Sequence, residues 1–490
     1  MSLDKKKFLV FLQKIMLFNS FSYALFLPLV FLLYWLPVCK NRRRDYQNVV
    51  LLLASYAFYS AWDWRFALLI AFTSLSSYWT ALRIDAGEGT ARKRWAALNI
   101  AVNLGILAYF KYAGFFVDSF VALLRLLGWS GTPVALQIIL PVGISFYTFQ
   151  ALGYTVDVYR RRITPSRSAL RFFAFVSFFP QLVAGPIERA ERLLPQFDGE
   201  RRFNHAQATG GVCLILWGLA LKLLLADRVA VYVDAAWKGV DGISGAPALL
   251  AVLFFAFQLY ADFYAYSEIA RGSAKLFGME LMVNFRRPYL STSFKEFWKR
   301  WHISLSSWFA DYVYIPLGGN RKGPARRVLN VFIVFLLSGL WHGASWTFVA
   351  WGFLCALFMV TLDAPMGRIR GLNPLKIAVV FGLWALSLIL FRAPDFGSAV
   401  KMFSALGFGG SSALTAFGLG ASELIFAGVL TVLLALQEGL WERRGERIAA
   451  AFLRLPPVVR VLLGIAAVLL LVLLGHYGIG NDSRFIYFQF

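Results

Sequence analysis

Charge is scarce in this 490-residue chain: Asp, Glu, Lys and Arg make up 15% of it, against about 25% in an average soluble domain. The length would allow roughly two or three soluble domains, but no polar stretch is long enough to build one. The three cysteines, Cys39, Cys213 and Cys355, lie far apart and form no CxxC. That excludes a disulfide framework, a cysteine zinc site and a haem attachment. No HExxH, GxSxG elbow, P-loop or dinucleotide fingerprint occurs, so metallohydrolase, serine-hydrolase and ATP-driven chemistry have no motif behind them. No internal repeat relates the two halves, as it does in many secondary transporters.

What is abundant is apolar. Hydrophobic residues make up 59% of the chain and aromatic residues 17%, and the mean hydropathy is +0.63. Apolar runs recur along the whole length, separated by short basic loops. A spanning helix needs about 20 apolar residues. Spans are expected at Phe18–Leu36, Asn48–Trp62, Phe66–Leu82, Ala96–Gly114, Gln137–Val158, Gln207–Ala226 and Pro247–Tyr266. Later ones are expected at Val328–Trp341, Ser345–Leu362, Ile377–Phe391, Glu423–Leu440 and Val458–His476. The fold class is therefore an all-α polytopic membrane protein with about 11–12 crossings, in the lipid bilayer as a single membrane-embedded domain over 16–490.

The formal net charge of +23 does not signal nucleic acid. The cations sit in short clusters between spans, such as Arg42–Arg44, Arg92–Arg94 and Arg160–Arg162, which is the pattern that retention of Lys/Arg loops on the cytoplasmic side produces. By that rule the loops around Arg160–Arg171, Arg286–Arg300, Arg321–Arg327 and Arg368–Lys376 face the cytoplasm, and the Gly/Ser/Ala-rich loop Gly407–Ser422 faces outward. The run Leu17–Pro37 is too long for a signal-peptide core and lacks a small-residue cleavage site. Lys5, Lys6, Lys7 and Lys14 conflict with an outside start, so 1–15 reads as an extension and Met16 as the natural start.

Two stretches are too broken for simple spans. Phe172–Ile187 carries Pro180, Gly185 and Pro186 and has basic flanks, so it is expected to be re-entrant or interfacial. Ser293–Tyr314 mixes tryptophans with Lys299, Arg300 and Asp311, as an amphipathic interfacial helix would.

Only four histidines are present. His342 lies between apolar stretches, at membrane depth, where an ionisable group is costly and marks function; histidine is also the usual general base near neutral pH. Gly339 and Gly343 form a GxxxG, extended by Ser338, Ala344 and Ser345, which serves close helix packing or leaves room for a thin acyl-pantetheine arm. A helix-packing motif with a hydrogen-bonded histidine is the competing reading. His302 stands among cations that oppose its protonation, either orienting substrate or lining an access channel, or simply bonded at the interface. Ser338, Gly339, Trp341, Gly343, Arg300 and Asp262 are the candidates for lining a substrate channel. Asp262 and Glu268 follow an apolar run and either pair with buried polar groups or fix an imidazole. His205 and His476 read as structural, and no metal-ligand cluster accompanies any of these residues.

Several runs together resemble the membrane-bound O-acyltransferase family. They are Pro141–Tyr147, Phe179–Ile187, Asn284–Tyr289, Phe297–Ser306, Asp311–Arg321, Gly339–Trp346 and Phe391–Phe396, and they cover most of the chain. The resemblance implies that His342 matches the catalytic histidine and His302 a second active-site position. It is strongest to the bacterial branch of alginate O-acetyltransferases, acetylated-cellulose enzymes and teichoic-acid D-alanyl transferases, and the terminal Phe485–Phe490 is more like the exopolysaccharide members. It implies a protein of the bacterial inner membrane that takes acetyl from cytoplasmic acetyl-CoA, a co-substrate, with no cofactor. The acetyl would pass across the membrane to a periplasmic or membrane-anchored partner or to exopolysaccharide. A D-alanyl transferase fed by a charged carrier protein and a transporter without a covalent step are the alternatives.

Overall fold

In lipid the backbone must satisfy its own hydrogen bonds, and helices do so within one segment. The computed structural model is helical throughout, and no strand occurs among the described residues. These are 16–38, 42–131, 138–183, 185–363, 365, 371–407, 412–477 and 485. The extension 1–15, Cys39, part of the loops 368–376 and 407–422, and the terminal aromatic run apart from Phe485 lie outside the described residues.

The principal helices are α1 (Phe21–Trp35), α2 (Arg43–Ala86), α3 (Gly89–Leu126), α4 (Ile144–Tyr159), α5 (His205–Lys238) and α6 (Ala246–Leu276). After a broken region come α7 (Pro324–His342), α8 (Trp346–Thr361), α9 (Asn373–Arg392), α10 (Ala421–Arg454) and α11 (Pro457–Leu474). Eight described helices are long and apolar enough to cross a membrane, and α1 and α8 are shorter apolar helices. Each expected span overlaps one of the numbered helices, that at 137–158 only from Ile144 on, since Gln137 lies outside the described residues and 138–143 is not helical. The spans at 48–62 and 66–82 share α2, which kinks at Asp63 (φ −158°, ψ 113°), where the carboxylate turns back to accept from Arg65. Burial separates the helices by role: 72% of the apolar stretch of α6 is buried in the protein, but only 6% of that of α11. Exposed leucines and valines on α11 are at home in hydrocarbon, which is as apolar as they are.

The chain forms two compact units. One holds the described residues up to Val212 together with Ala270–Met282. In it Arg92, from one of the basic clusters between spans, is buried and donates to the carbonyls of Ile84, Val158 and Tyr159, closing the C-terminal ends of α2 and α4. The expected broken segment is there too: a helix over Ala169–Ser177, buried in its second half apart from Phe173, and a wholly buried single turn over Phe179–Leu182. Its polar backbone is met inside the protein. Gln150 and Gln181 both donate to the Phe175 carbonyl, and the Phe179 N–H donates to Ser55.

The other unit comprises Cys213–Ile269 and the chain from Val283 onward. Its stretch 293–314 is not the single amphipathic helix expected. Two seven-residue helices, Phe294–Arg300 and Ile303–Phe309, meet at Trp301–His302, and a π-helical turn follows over Ala310–Tyr314. Phe294, Phe297, Trp301, Leu305 and Phe309 are buried against protein, so the apolar side of this stretch serves the core rather than the lipid interface. The hairpin of α7 and α8 completes the unit's centre. Gly339 and Gly352 permit its close approach, since a Cβ on Gly339 would overlap the Phe348 carbonyl oxygen and one on Gly352 the Phe335 carbonyl oxygen.

Candidate active site

His302 owes its position to a break in the helix. Ser293 caps the first short helix by accepting from the Glu296 N–H at 3.2 Å. The chain then turns through His302 in the left-handed region (φ 42°, ψ 55°). For a residue with a Cβ that conformation costs on the order of 1–2 kcal/mol, so the surroundings must enforce it. Asn284 does this. Fully buried, it accepts from the Ser304 hydroxyl at 2.6 Å and the Ser304 N–H at 3.3 Å, and its amide donates to Ser267 at 3.0 Å. Its carbonyl takes the Ile303 N–H at 2.9 Å. Phe263 meets the imidazole edge to face at 4.5 Å.

The His302 side chain is 1% exposed, and neither ring nitrogen has a hydrogen-bond partner among the described residues. Buried polar groups are nearly always satisfied, which makes this imidazole a candidate for contact with a bound molecule. Burial pushes its pKa down to about 3. The neutral imidazole expected from neighbouring cations is thus present for a different reason, loss of hydration.

His342 is the last residue of α7, and Gly343 leaves the helix in an extended conformation. Ser345 caps α8 by accepting from the Thr347 N–H at 3.3 Å, so three residues turn the hairpin. The His342 ring is boxed by aromatics: Trp341 at 5.0 Å, Trp351 at 5.2 Å and Phe391 at 5.3 Å. It lies 6.4 Å from the His302 ring, centroid to centroid, which is short of direct hydrogen-bond reach.

Both histidines line one cavity of about 590 Å³, within the size range of small-molecule sites. Arg327, Val331, Phe335, Ser338 and His342 all contribute to its wall. Their spacing of three and four residues makes that wall a single face of α7, about 22 Å long at 1.5 Å per residue. Away from the histidines it is lined by Lys295, Asn320, Arg327 and Asp363, and Asp363 accepts from the Lys295 backbone N–H at 3.0 Å. The cavity therefore runs from a polar, cation-bearing end to an aromatic end holding two imidazoles. Among the described residues no group of His, Cys, Asp and Glu is arranged to hold a metal.

Of the residues singled out from the sequence, His302, His342 and Ser338 line the cavity. Trp341 is buried beside both imidazoles, 5.7 Å from His302 and 5.0 Å from His342. Gly339 and Gly343 lie under Phe348, the first beneath its carbonyl and the second beneath its ring. Arg300 pairs with Glu296 at 2.8 Å and Glu442 at 3.4 Å. Asp262 is 2.7 Å from Lys222, which also holds Asp227 at 2.8 Å. All three of these side chains are almost wholly buried, and Lys222 sits in a π-helical stretch of α5, Leu221–Ala226. His205 is exposed at the start of α5 and His476 is held through its backbone by the Leu223 carbonyl. Sequence reasoning passed over Asn284, Lys222, Lys295 and Arg327. Asn284 and Lys222 had a usable signal, a polar residue inside an otherwise apolar run.

Residues 159–391 match the model of the membrane-bound O-acyltransferase family. Two similar proteins are probable alginate O-acetylases AlgI. That of Pseudomonas putida is 38% identical over 397 residues, covering 80% of this chain and 80% of the relative. That of Pseudomonas aeruginosa is 39% identical over 397 residues, covering 80% and 75%. The peptidoglycan O-acetyltransferase of Helicobacter pylori is 33% identical over 426 residues, covering 80% of each.

Proposed function

This chain belongs to the membrane-bound O-acyltransferase family, and on that premise we propose that it moves acetyl from cytoplasmic acetyl-CoA to a hydroxyl on the far side of a bacterial inner membrane. The acceptor is a hydroxyl of a periplasmic or membrane-anchored partner protein or of an exopolysaccharide of the alginate or cellulose type. The observation that carries the reading is the pair of buried imidazoles, 6.4 Å apart, on one cavity whose other end bears Lys295 and Arg327.

Each part of the cavity has a task in that reaction. Lys295 and Arg327 complement the phosphates of the nucleotide portion by charge-assisted hydrogen bonds. The narrow face of α7 takes the pantetheine arm. The thioester then lies by Ser338 and the two histidines. His342 accepts the proton of the acceptor hydroxyl, whose oxygen attacks the thioester carbonyl carbon. Neutral His302 offers an N–H to the carbonyl oxygen as negative charge develops there, in a site where water does not compete. Collapse breaks the C–S bond, the departing thiolate takes the proton back from His342, and coenzyme A and the acetyl ester result. No proton is gained or lost overall, and no cofactor takes part.

The test is polymer acetylation in cells whose only copy carries His342→Ala. Removing a general base lowers the rate by about 10²–10⁴-fold, so acetylation should disappear while the protein remains in the membrane at normal level. Normal acetylation in those cells would reject the assignment, and failure of the purified wild-type protein to release coenzyme A from acetyl-CoA with acceptor would reject the donor.

A further inference from the structure

The hairpin tip beyond His342 is thin. Ala344 and Ser345 are half-exposed and Trp346 is 56% exposed, yet His342, two to four residues away, is 6% exposed. Of the rings boxing His342, Phe391 is the one backed by a further ring from the tip, Phe348. Phe348, one turn into α8, lies over the backbone of Gly343 so closely that a Cβ there would overlap its ring. It meets Phe391 edge to face at 4.8 Å, and Phe391 meets the His342 imidazole at 5.3 Å. Both are buried, at 5% and 2% exposure. Thr347, between the tip and Phe348, donates to the Ala393 carbonyl at 3.3 Å, tying the end of α9 to the tip. The Lys295–Arg327 end of the cavity is at the other end of α7.

We propose that Phe348 and Phe391 form an aromatic cover over His342 on the hairpin-tip side, the door through which the acceptor hydroxyl enters and which keeps water from the thioester until it does. This rests on the acetyl-transfer reading above and adds to it the residues that decide between transfer and hydrolysis. The physical need is direct. A base that activates a hydroxyl also activates water, and water arriving at the same imidazole would attack the same carbonyl carbon. The C–S bond would break and the products would be acetate, a proton and free coenzyme A. A closed site suppresses such side reactions by exclusion. The cover meets the hairpin at Gly343, where the ring rests on backbone alone.

The experiment uses purified full-length protein in detergent with acetyl-CoA and no acceptor, and follows acetate and free thiol together. Phe348→Ala should raise acceptor-independent acetate release by roughly tenfold, the change expected from a modest loss of barrier, and lower the fraction of acetyl delivered when acceptor is added. Phe391→Leu should do the same more weakly. A milder Phe348→Leu serves if the alanine variant melts below the assay temperature. Acetate release at the wild-type level in folded variants that still transfer acetyl would overturn the cover. So would loss of all thioester turnover in a folded variant, since the ring would then be holding His342 in place rather than shielding it. Wild-type protein that consumes no acetyl-CoA would instead remove the underlying acetyl-transfer reading.

Discussion

His302 shows how far one buried residue departs from its solution behaviour. Its pKa falls from 6.5 to about 3 because the charged form loses its hydration. The unfolded chain, with a normal imidazole, binds a proton that the folded chain refuses. Stability is therefore fully present above about pH 6.5 and declines as pH falls toward 3, the window in which the unfolded state holds more protons. His302→Gln should flatten that decline: between pH 7 and pH 5 the melting temperature in detergent should drop less for the variant than for the wild type. Equal drops would mean that His302 is not the group resisting protonation. His342 was legible in the sequence because an ionisable residue inside an apolar run is conspicuous, whereas His302, among cations, stood out as one of only four histidines. That the two face one cavity was not legible, since 39 intervening residues give no clue to which faces meet. That Asn284 holds the His302 turn was not legible either, because its partners Ser267, Ile303 and Ser304 are brought to it only by packing.

At the scale of elements, the α7–α8 hairpin separates two glycines that look equivalent as a GxxxG. Gly339 faces the Phe348 carbonyl oxygen, and Gly343 faces the Phe348 ring. Backbone cannot move aside without opening the hairpin, while a ring can be pushed away. Gly339→Leu should therefore destabilise the protein, by the 1–3 kcal/mol that overpacking typically costs or by more. Gly343→Leu should leave more of the folded protein intact and act mainly on acetyl transfer by displacing Phe348. Melting curves and transfer assays on the two variants measure the split. Equal melting temperatures would show that the carbonyl contact at Gly339 is relieved elsewhere. Spacing identified this pair as a packing motif but could not assign a partner to either glycine. The stretch 293–314 failed in a related way. Its mixed composition suited an interfacial helix, but the tertiary clamp through Asn284 holds a left-handed break at His302, a conformation uncommon for any non-glycine residue and not announced by the pattern.

For the molecule as a whole, mechanism depends on sidedness. The loops at Arg160–Arg171 and Arg321–Arg327 should be cytoplasmic, because short loops rich in Lys and Arg resist export. The segment after α9 should be outside. Single cysteines at Arg167 and Thr415 test this in a background lacking Cys39, Cys213 and Cys355. Both positions are exposed, whereas Ser412 accepts from the Ser244 N–H and is half-buried, which would blunt its reactivity. An impermeant thiol reagent on intact cells with a permeabilised outer membrane should label Thr415→Cys and spare Arg167→Cys. The opposite pattern would invert the protein and put the Lys295–Arg327 end of the cavity on the wrong face for a cytoplasmic donor.

What the sequence determined by itself is what depends on composition along the chain. The membrane class, the position of each span and the broken segments follow from hydropathy and from Pro and Gly, because lipid reads a helix mainly by its length and polarity. His342 stands out for the same reason. The tertiary structure alone decided what depends on which faces meet. Helices crossing lipid have few sequence-local preferences for partners, so nothing in the pattern announces that Lys222 gathers Asp227 and Asp262. Nor does it announce that one face of α7 becomes a cavity wall, or that Phe348 reaches back over Gly343. Such contacts join residues far apart in the chain, 40 positions between Lys222 and Asp262 and 68 between Lys295 and Asp363, and only packing brings them together.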